Sequence, residues 1–507
     1  MRHRSPYFEA RVLATSGQLQ VRWHDWLGRN PAPISPAISL KDKVEGMMLG
    51  LAISDALGNT SESRNPRQRQ ATNGWIEHYL PNRYADHRAI GLPSDDTQLA
   101  ARTLVHLLEC KHLDPQLLGN RLAHGQIFGM GQATGQWVER FKQGVPWDQS
   151  GSLSAGNGAL MRIAPVLIPR LRDPNCDLWA ETLLAAHLTH DDELSNVSCV
   201  AMVDALWRAI GTTGSVPSGW WLQHWLEVCD ALGTGHTYQA RNGHPPGFDG
   251  TISQMLREHV APAIERELPV VEAGDIWHSG AYLLETVPTV VYILERYGNN
   301  PREAILQAVN HTRDNDTVAA IVGAAVGALH GASALPKAWV DDLSGRTAAD
   351  DDHQFFYLLD LAGKVFGYGS SPEVAHRAGL REATKPAARK QVKPPKPPKD
   401  LLTGELWFKV VEFLQQNWAV VRPDVNSGGT RIWFVNDGFG VFDYIDCESP
   451  AAARRALRLN GFGLYEDQED RWVESEIPEH RTADKAPKLT WAPRQIYSSR
   501  KHWIDPK

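Results

Sequence analysis

Cysteine is scarce in this chain: Cys110, Cys176, Cys199, Cys229 and Cys447 are all there are in 507 residues. They are widely spaced, with no CxxC pair. That excludes a disulfide scaffold and fits a reducing compartment, so a cytoplasmic protein is expected. Long apolar runs are also missing. The longest weakly polar stretch, Val318 to Leu329, is too short to span a bilayer, and no membrane partner is expected. The first residues, MRHRSPYFEARVLATSGQ, are basic but have no apolar centre, so they are not a signal peptide. Positive charge is not in excess: 52 Lys and Arg stand against 59 Asp and Glu, for a net charge of -7. A surface that grips phosphates needs dense cations, so nucleic acid is not the expected partner.

What is present is an ordinary globular composition, 42% hydrophobic and 22% charged, in a chain long enough for about two to four domains. Residues 1–38 hold an aromatic stretch, FEARVLATSGQLQVRWHDWL, that reads as a β-like N-terminal extension. A turn-rich connector, RNPAPISPAIS, follows it. From 39 to 376 apolar residues recur at three- and four-residue steps, as in KDKVEGMMLGLAISDALG, DDTQLAARTLVHLLEC and AYLLETVPTVVYILERYG. This periodicity predicts a large all-α domain. The segment 377–400 contains KPAARKQVKPPKPPKD, with five prolines and six basic residues, and reads as an extended linker. Residues 401–507 change character. LLTGELWFKVVEFLQQNW reads as a helix, TRIWFVND and GFGVFDYI as strands, SPAAARRALRLNGF as a helix capped by Ser449, and GLYEDQEDRWV as a last strand. The fold class is therefore mainly α, with a small C-terminal α+β domain. That domain holds six of the eighteen tryptophans, and such residues are more often core than ligand surface.

Four stretches of the helical region carry acids, glycines and amides together. In GLAISDALGNTSE a small-residue helix ends at Gly58, a natural C-cap, and a polar loop delivers Glu62. In GLPSDDTQLAART, Pro93 blocks helix, Ser94 is placed to cap, and Asp95 and Asp96 fall in the first turn. SAGNGALMRIAP is a Gly-Asn-Gly turn followed by Arg162. NHTRDNDTVAAIVGAAVGALHG sets Asp314, Asp316 and Thr317 before a helix of small side chains. Acids at a helix start ordinarily complement the dipole and cap amides. Two such starts, each leading into small residues, can approach closely and face their carboxylates together. Clustered carboxylates repel unless a cation neutralises them. Oxygen ligands from Ser, Asp and Thr suit Mg²⁺ or Mn²⁺. The set Ser94, Asp95, Asp96, Asp314, Asp316 and Thr317 could hold two ions. An aspartyl-phosphatase reading of DNDT fails, because a helix pattern precedes it and not an apolar strand. A calcium-loop reading fails because no acid follows Thr317.

These stretches, in this order, resemble the ADP-ribosylglycohydrolase family. The matches are SDALGNTSE, PSDDT, FGMGQAT, GNGALMRIAP and RDNDTVAAIVGAAVGALHG, over about residues 40–368. The resemblance implies an all-α bundle with two metal ions at its centre, usually Mg²⁺. It implies that Ser94, Asp95, Asp96, Asp314, Asp316 and Thr317 are the ligands. Glu62 would lie on a mobile loop over the substrate. Gly129, Gly131 and Thr134 would cradle a diphosphate with backbone amides. Gly156, Asn157 and Gly158 would line the cleft, Arg162 would fix that loop or its acids, and His190 would lie near the nucleotide. Two departures stand out: Thr312 and Arg313 replace two glycines before D-x-D-T, and Ser54 replaces a glycine before Asp55.

The implied reaction is hydrolysis of the glycosidic bond between ADP-ribose and an acceptor, with protons handled by Glu62 or Asp96. The first expectation for the acceptor is arginine on an ADP-ribosylated protein. Serine-linked and nucleic-acid-linked ADP-ribose are the alternatives within this chemistry. A different class of function is an immunity or binding protein that blocks a partner, such as an ADP-ribosylating toxin, by contact. In that case the N-terminal extension or the C-terminal domain would carry the function.

Overall fold

The computed structural model describes residues 5–62, 64–125, 127–348, 351–384, 398, 400–412, 415–423, 429–435, 441–460 and 462–467. The chain divides into two compact units, Met1–Lys385 and Pro386–Lys507. The expected linker, 377–400, falls across the boundary; its first residues, 377–384, are not extended but end the helix Pro372–Thr384, and its residues 385–397 and 399 lie outside the described residues.

The first unit is helical. The segment expected to be β-like is instead α1, Pro6–Thr15, followed by a short 3-10 turn at Asp25–Gly28. The reason is local. Ser5 accepts from the Phe8 amide, and Pro6 occupies the first helical position, a start signal that outweighs the aromatic content. Ala10 and Leu13, three residues apart, are the buried face. Trp26 then packs against Trp179 with ring centres 4.8 Å apart.

The centre of this unit is a pair of helices that touch through glycine. These are α2, Leu40–Gly58, and a later helix, Thr317–His330. Gly46 and Gly50 face Gly327 and Gly323, and a Cβ at any of the four would collide with the other helix's backbone. This is why the second helix holds small side chains: backbones can approach this closely only where Cβ is missing. Gly58 belongs to the same seam. It has ordinary helical φ and lies inside the helix, and a Cβ there would sit 2.5 Å from the Asp316 Cα. It is therefore a contact glycine and not the C-cap, a position that Asn59 takes.

Eight further helices frame this pair and matter to the site. They are α3, Pro66–Asn73; α4, Asp95–Cys110; α5, Gln132–Lys142; α6, Asp177–His187; α7, Glu193–Ile210; α8, Leu283–Tyr297; α9, Pro301–His311; and, after the central helix α10 (Thr317–His330), α11, Gln354–Val365. A two-residue pairing of β1, Tyr238–Gln239, with β2, Asp249–Gly250, stems one surface loop. Among the described residues no helix is long and apolar enough to cross a membrane.

The second unit is a five-stranded antiparallel sheet with one helix. The strands are β3, Glu405–Glu412; β4, Gln415–Pro423; β5, Thr430–Val435; β6, Val441–Cys447; and β7, Gly463–Leu464, in the order β6-β5-β4-β3-β7. Thus LLTGELWFKVVEFLQQNW, expected to be helical, forms two paired strands. Its apolar residues serve two faces. Trp407, Ala419 and Val421 join Ile432 and Phe434 under the helix α12, Pro450–Leu459. Phe408, Trp418 and Val420 join Trp433 and Val435 on the other face. A strand apolar on both faces mimics a helical pattern over a short window. Ser449 caps α12 through the Ala452 amide, as expected. The expected last strand is only Gly463–Leu464, followed by a turn at Tyr465–Asp467; its remainder lies outside the described residues. Trp407, Trp418 and Trp433 are all buried.

Candidate metal centre and substrate cleft

The site forms where the end of α2 meets the starts of α4 and α10. Asp55, in the last turn of α2, is fully buried. It accepts from the Ser94 amide at 2.9 Å and the Thr97 amide at 3.2 Å, and from both their hydroxyls at 2.6 Å. Asn59 adds a fifth donor at 3.1 Å. Asp55 thus caps α4 from another helix. The Ser94 side chain makes no capping bond to its own helix; the Thr97 amide that it would accept from donates to Asp55 instead.

At α10 the cap is local. Asp316 accepts from the Thr317 amide at 2.9 Å. Asn157 Nδ2 donates to Asp314 Oδ2 at 2.6 Å and to Thr286 Oγ1 at 3.1 Å. The Thr317 hydroxyl reaches Asp96 Oδ2 at 3.5 Å and joins the two helix starts. Asn315 Nδ2 donates to Gly58 O, Ser61 Oγ and Val309 O, so the loop before α10 is tied to the end of α2.

Carboxylate oxygens of Asp55, Asp96 and Asp316 lie within 4.8 Å of one another, and so do those of Glu62, Asp314 and Asp316. Asp316 belongs to both groups. Asp96 Oδ1 is buried with no hydrogen-bond partner. Burial, reinforced by neighbouring carboxylates, holds Asp95, Asp96 and Asp316 well above the usual carboxylate range. Partial desolvation, then the charges of Asp314 and Asp55, pushes Glu62 up to about 7. Such a cluster is unfavourable when every member is charged. Its donors are all oxygen, and one is orphaned. The residues therefore fit a hard divalent cation.

The remaining expected residues fall on two sides of these acids. A Cβ at Gly129 (φ +81°) would lie 3.3 Å from Asp95 Oδ1, and the Gly131 amide donates to Asp95. The glycine loop before α5 therefore approaches Asp95 with bare backbone. A Cβ at Gly158 would lie 2.9 Å from His190 Cε1 and 3.2 Å from Thr134 Oγ1. Gly156 faces His190 Nε2. Thr134, Gly156, Asn157, Gly158 and His190 are thus one cluster. His190 is buried, and burial lowers it to about 3, with the Arg162 charge adding to the effect. It is a neutral imidazole with Nδ1 3.0 Å from Thr189 Oγ1. Arg162 does not reach the acids; it donates to Ala185 O and Thr189 Oγ1, both at 2.8 Å. Arg313 turns outward to Asp275 at 3.7 Å.

Sequence reasoning assigns no role to Asp55 or Arg69. An acid inside an otherwise apolar helix is the available signal for Asp55. Arg69 gives none, since α3 reads as a polar surface helix. It is fully buried and donates to Ser61 Oγ, Arg64 O and Thr312 O at 2.8–3.0 Å. It fastens the segment carrying Glu62 to the loop carrying Asp314.

A family model described as ADP-ribosylglycohydrolase matches residues 36–371. The chain is a glycohydrolase enzyme, and it belongs to the ADP-ribosylglycohydrolase family. An ADP-ribosylarginine hydrolase Tri1 of Serratia proteamaculans is 27% identical over 361 residues, 68% of this chain and 87% of that protein. The protein of the same name from Pseudomonas putida is 26% identical over 63% of this chain and 78% of its own length. The ADP-ribosyl-[dinitrogen reductase] glycohydrolase of Rhodospirillum rubrum is 24% identical over 64% of this chain and 98% of its own length.

Proposed function

We propose that this protein is a divalent-metal-dependent hydrolase that releases ADP-ribose from arginine side chains of modified proteins. The observation that carries the metal dependence is the packing of Asp96 and Asp316 oxygens within 4.8 Å while Asp96 Oδ1 has no partner. The choice of arginine rests on the two hydrolases named for that linkage. Ser94, Asp95, Asp96, Asp314, Asp316 and Thr317 would hold two Mg²⁺ ions, or Mn²⁺ in their place. Asp55 lies behind Ser94 and takes its proton-bearing side, which leaves the hydroxyl lone pairs for a cation. When bound, such ions orient the ribose hydroxyls and make water a better nucleophile at neutral pH.

The chain's own residues do the rest. Hydrolysis breaks the bond from ribose C1 to the arginine nitrogen; water supplies a hydroxyl to C1 and a proton to the nitrogen. Glu62, whose carboxyl burial and the charges of Asp314 and Asp55 push up in the metal-free cleft, suits that proton traffic; Asp96 is the second candidate. Asn157 fixes Asp314. Gly129 and Thr134 would offer a backbone amide and a hydroxyl to a diphosphate, and Gly131, whose amide donates to Asp95, would bring side-chain-free backbone close to it. Gly156, Gly158 and the neutral His190 form the wall on which the nucleotide rests.

The test is one assay with three substrates. Protein and Mg²⁺ are incubated with arginine-, serine- and nucleic-acid-linked ADP-ribose, and released ADP-ribose is measured. Fastest release is expected from the arginine linkage. Faster release from either other linkage would overturn the arginine assignment, and undiminished release after metal stripping would overturn the metal assignment.

A further inference from the structure

The segment between α3 and α4 leads up to the acids, yet the proposed hydrolysis gives none of its side chains a role. Its base is fixed at the end of α2. Buried Asn82 donates through Nδ2 to Asn59 Oδ1 at 3.4 Å, and Asn59 donates to Leu92 O at 2.8 Å and to Asp55. The tip is a closed turn. Asn82 pairs with Arg88 as an isolated antiparallel bridge. Asn82 O accepts from the His87 amide at 3.0 Å, and Asn82 Oδ1 accepts from the Tyr84 amide at 2.8 Å. Asp86 and His87 have φ of +55° and +57°, the left-handed conformation that reverses a chain within a few residues.

This turn holds one ring at the edge of the cleft. Tyr84 lies over Phe128, with ring centres 4.8 Å apart and planes 24° from parallel. Phe128 is buried, and its amide donates to Gln98 Oε1 at 2.8 Å. It directly precedes Gly129, which comes up against Asp95. Tyr84 therefore joins two parts of the cleft. Its turn is tied to Asn59, just before Glu62, and its ring rests on the start of the glycine loop. The ring is 38% exposed, while the ring that supports it is 7% exposed.

We propose that Tyr84, backed by Phe128, is the platform on which the guanidinium of the acceptor arginine stacks. This rests on the proposed release of ADP-ribose from arginine and adds to it the residue that reads the acceptor. With Glu62 as the group that hands the acceptor nitrogen its proton, the rest of the guanidinium lies between the Glu62 segment and the glycine loop. Tyr84 spans that interval. A guanidinium is flat, delocalised and weakly hydrated, and it binds either a carboxylate edge-on or an aromatic ring face-on. The carboxylates clustered here are assigned to cations. Edge-on pairing would also occupy the plane in which the bond breaks. The bond from ribose C1 to the arginine nitrogen lies in the guanidinium plane. When it breaks, its electron pair stays on nitrogen in that plane and takes up a proton there, while the hydroxyl of water goes to C1. A ring against the face leaves that plane open. Serine-linked ADP-ribose presents neither a cation nor a flat group at this place, so the same platform favours arginine over serine.

The experiment is steady-state hydrolysis of ADP-ribosylarginine by the full chain with Mg²⁺, beside calorimetric titration with ADP-ribose, which lacks the acceptor. Tyr84→Ala should raise KM for ADP-ribosylarginine about three- to thirtyfold. Its kcat should stay unchanged, the signature of lost substrate binding, and it should bind ADP-ribose like the wild type. Tyr84→Phe keeps the ring and should keep the wild-type KM. Tyr84→Leu, apolar but without an aromatic face, should behave like Tyr84→Ala. The proposal falls if Tyr84→Ala or Tyr84→Leu retains the wild-type KM, or if Tyr84→Phe loses as much as Tyr84→Ala. It falls equally if ADP-ribose binding weakens in parallel, which would put the ring on the nucleotide side. Wild-type protein that binds ADP-ribose but leaves ADP-ribosylarginine uncut would instead sink the arginine assignment, and the platform with it.

Discussion

The two acid-bearing helix starts, α4 and α10, look alike in sequence and are built differently. Each presents a hydroxyl and two carboxylates. At α10 Asp316 caps its own helix, and Asp314 is held by Asn157. At α4 the cap comes from Asp55 of α2. With the amides of that first turn satisfied by another helix, Asp95 and Asp96 need not cap anything and can face the cleft. The end of α2 therefore governs both sides: Asp55 seats α4, while Gly58 lets the Asp316 backbone come close. The difference shows that a motif of residue types does not say which residue bears ligand duty and which bears structural duty.

The largest effects should come from the self-capping side. Asp314→Ala or Asp316→Ala should abolish ADP-ribose release and weaken cation binding, measured by product assay and by metal titration. A double mutant with full activity would remove the basis for placing chemistry between the two starts. On the other side, Asp55→Ala deletes a cap and orphans two hydroxyls, a loss on the order of 3 kcal/mol in denaturant unfolding. Ser94→Ala leaves the Asp55 cap in place and should cost only about 1 kcal/mol. Equal losses for the two would mean that α4 is self-capped after all and that the two helix starts are built alike.

Much of this arrangement is legible in the order of residues alone. The glycines of α2 and α10, at four-residue steps, announce a close seam, and the acids beside them announce a cleft. What the order of residues hides is long-range. Ser94 has the residue type and position of a cap, so only the proximity of Asp55, 39 positions earlier, reveals that its hydroxyl is engaged elsewhere. Arg69 is charged and sits on a polar helix; its burial is a property of the neighbours that cover it. The C-terminal strands mislead for the opposite reason. β3 and β4 bury side chains on both faces, so the alternation that marks a half-exposed strand is absent. Ser449 is legible because capping there is local.

A third test asks whether cations bridge the two starts. Mg²⁺ at about one hundred times its dissociation constant should raise the unfolding free energy of the helical unit by about 2.7 kcal/mol, and a chelator should remove the gain. Asn157→Ala frees Asp314 and should reduce metal affinity about ten- to a hundred-fold. Removing Asp55 should reduce the same gain through Ser94 alone. If Asn157→Ala left the metal-dependent gain unchanged while Asp55→Ala erased it, the α4 side would be the principal metal holder and α10 the accessory.

The smallest effect concerns how acid reaches one side and not the other. His190 backs Gly158 and Thr134, and Gly158 adjoins Asn157, which grips Asp314. Burial, with Arg162 as the facing charge, lowers His190 to about 3 from 6.5. The unfolded chain therefore takes up a proton that the folded chain refuses. The stability His190 contributes is fully present above pH 6.5 and is lost as pH falls toward 3. Within that window one proton changes the unfolding free energy by about 1.4 kcal/mol per pH unit. His190→Gln, which keeps a polar group facing Thr189, should flatten the stability–pH curve by that one proton between about pH 6 and 4. Hydrogen exchange at mildly acid pH should then show the Gly156–Gly158 turn loosening in the wild type before the first turn of α4, which is pinned by Asp55. An unchanged slope in the variant would mean that His190 already carries its proton when folded, and that acid reaches both helix starts alike.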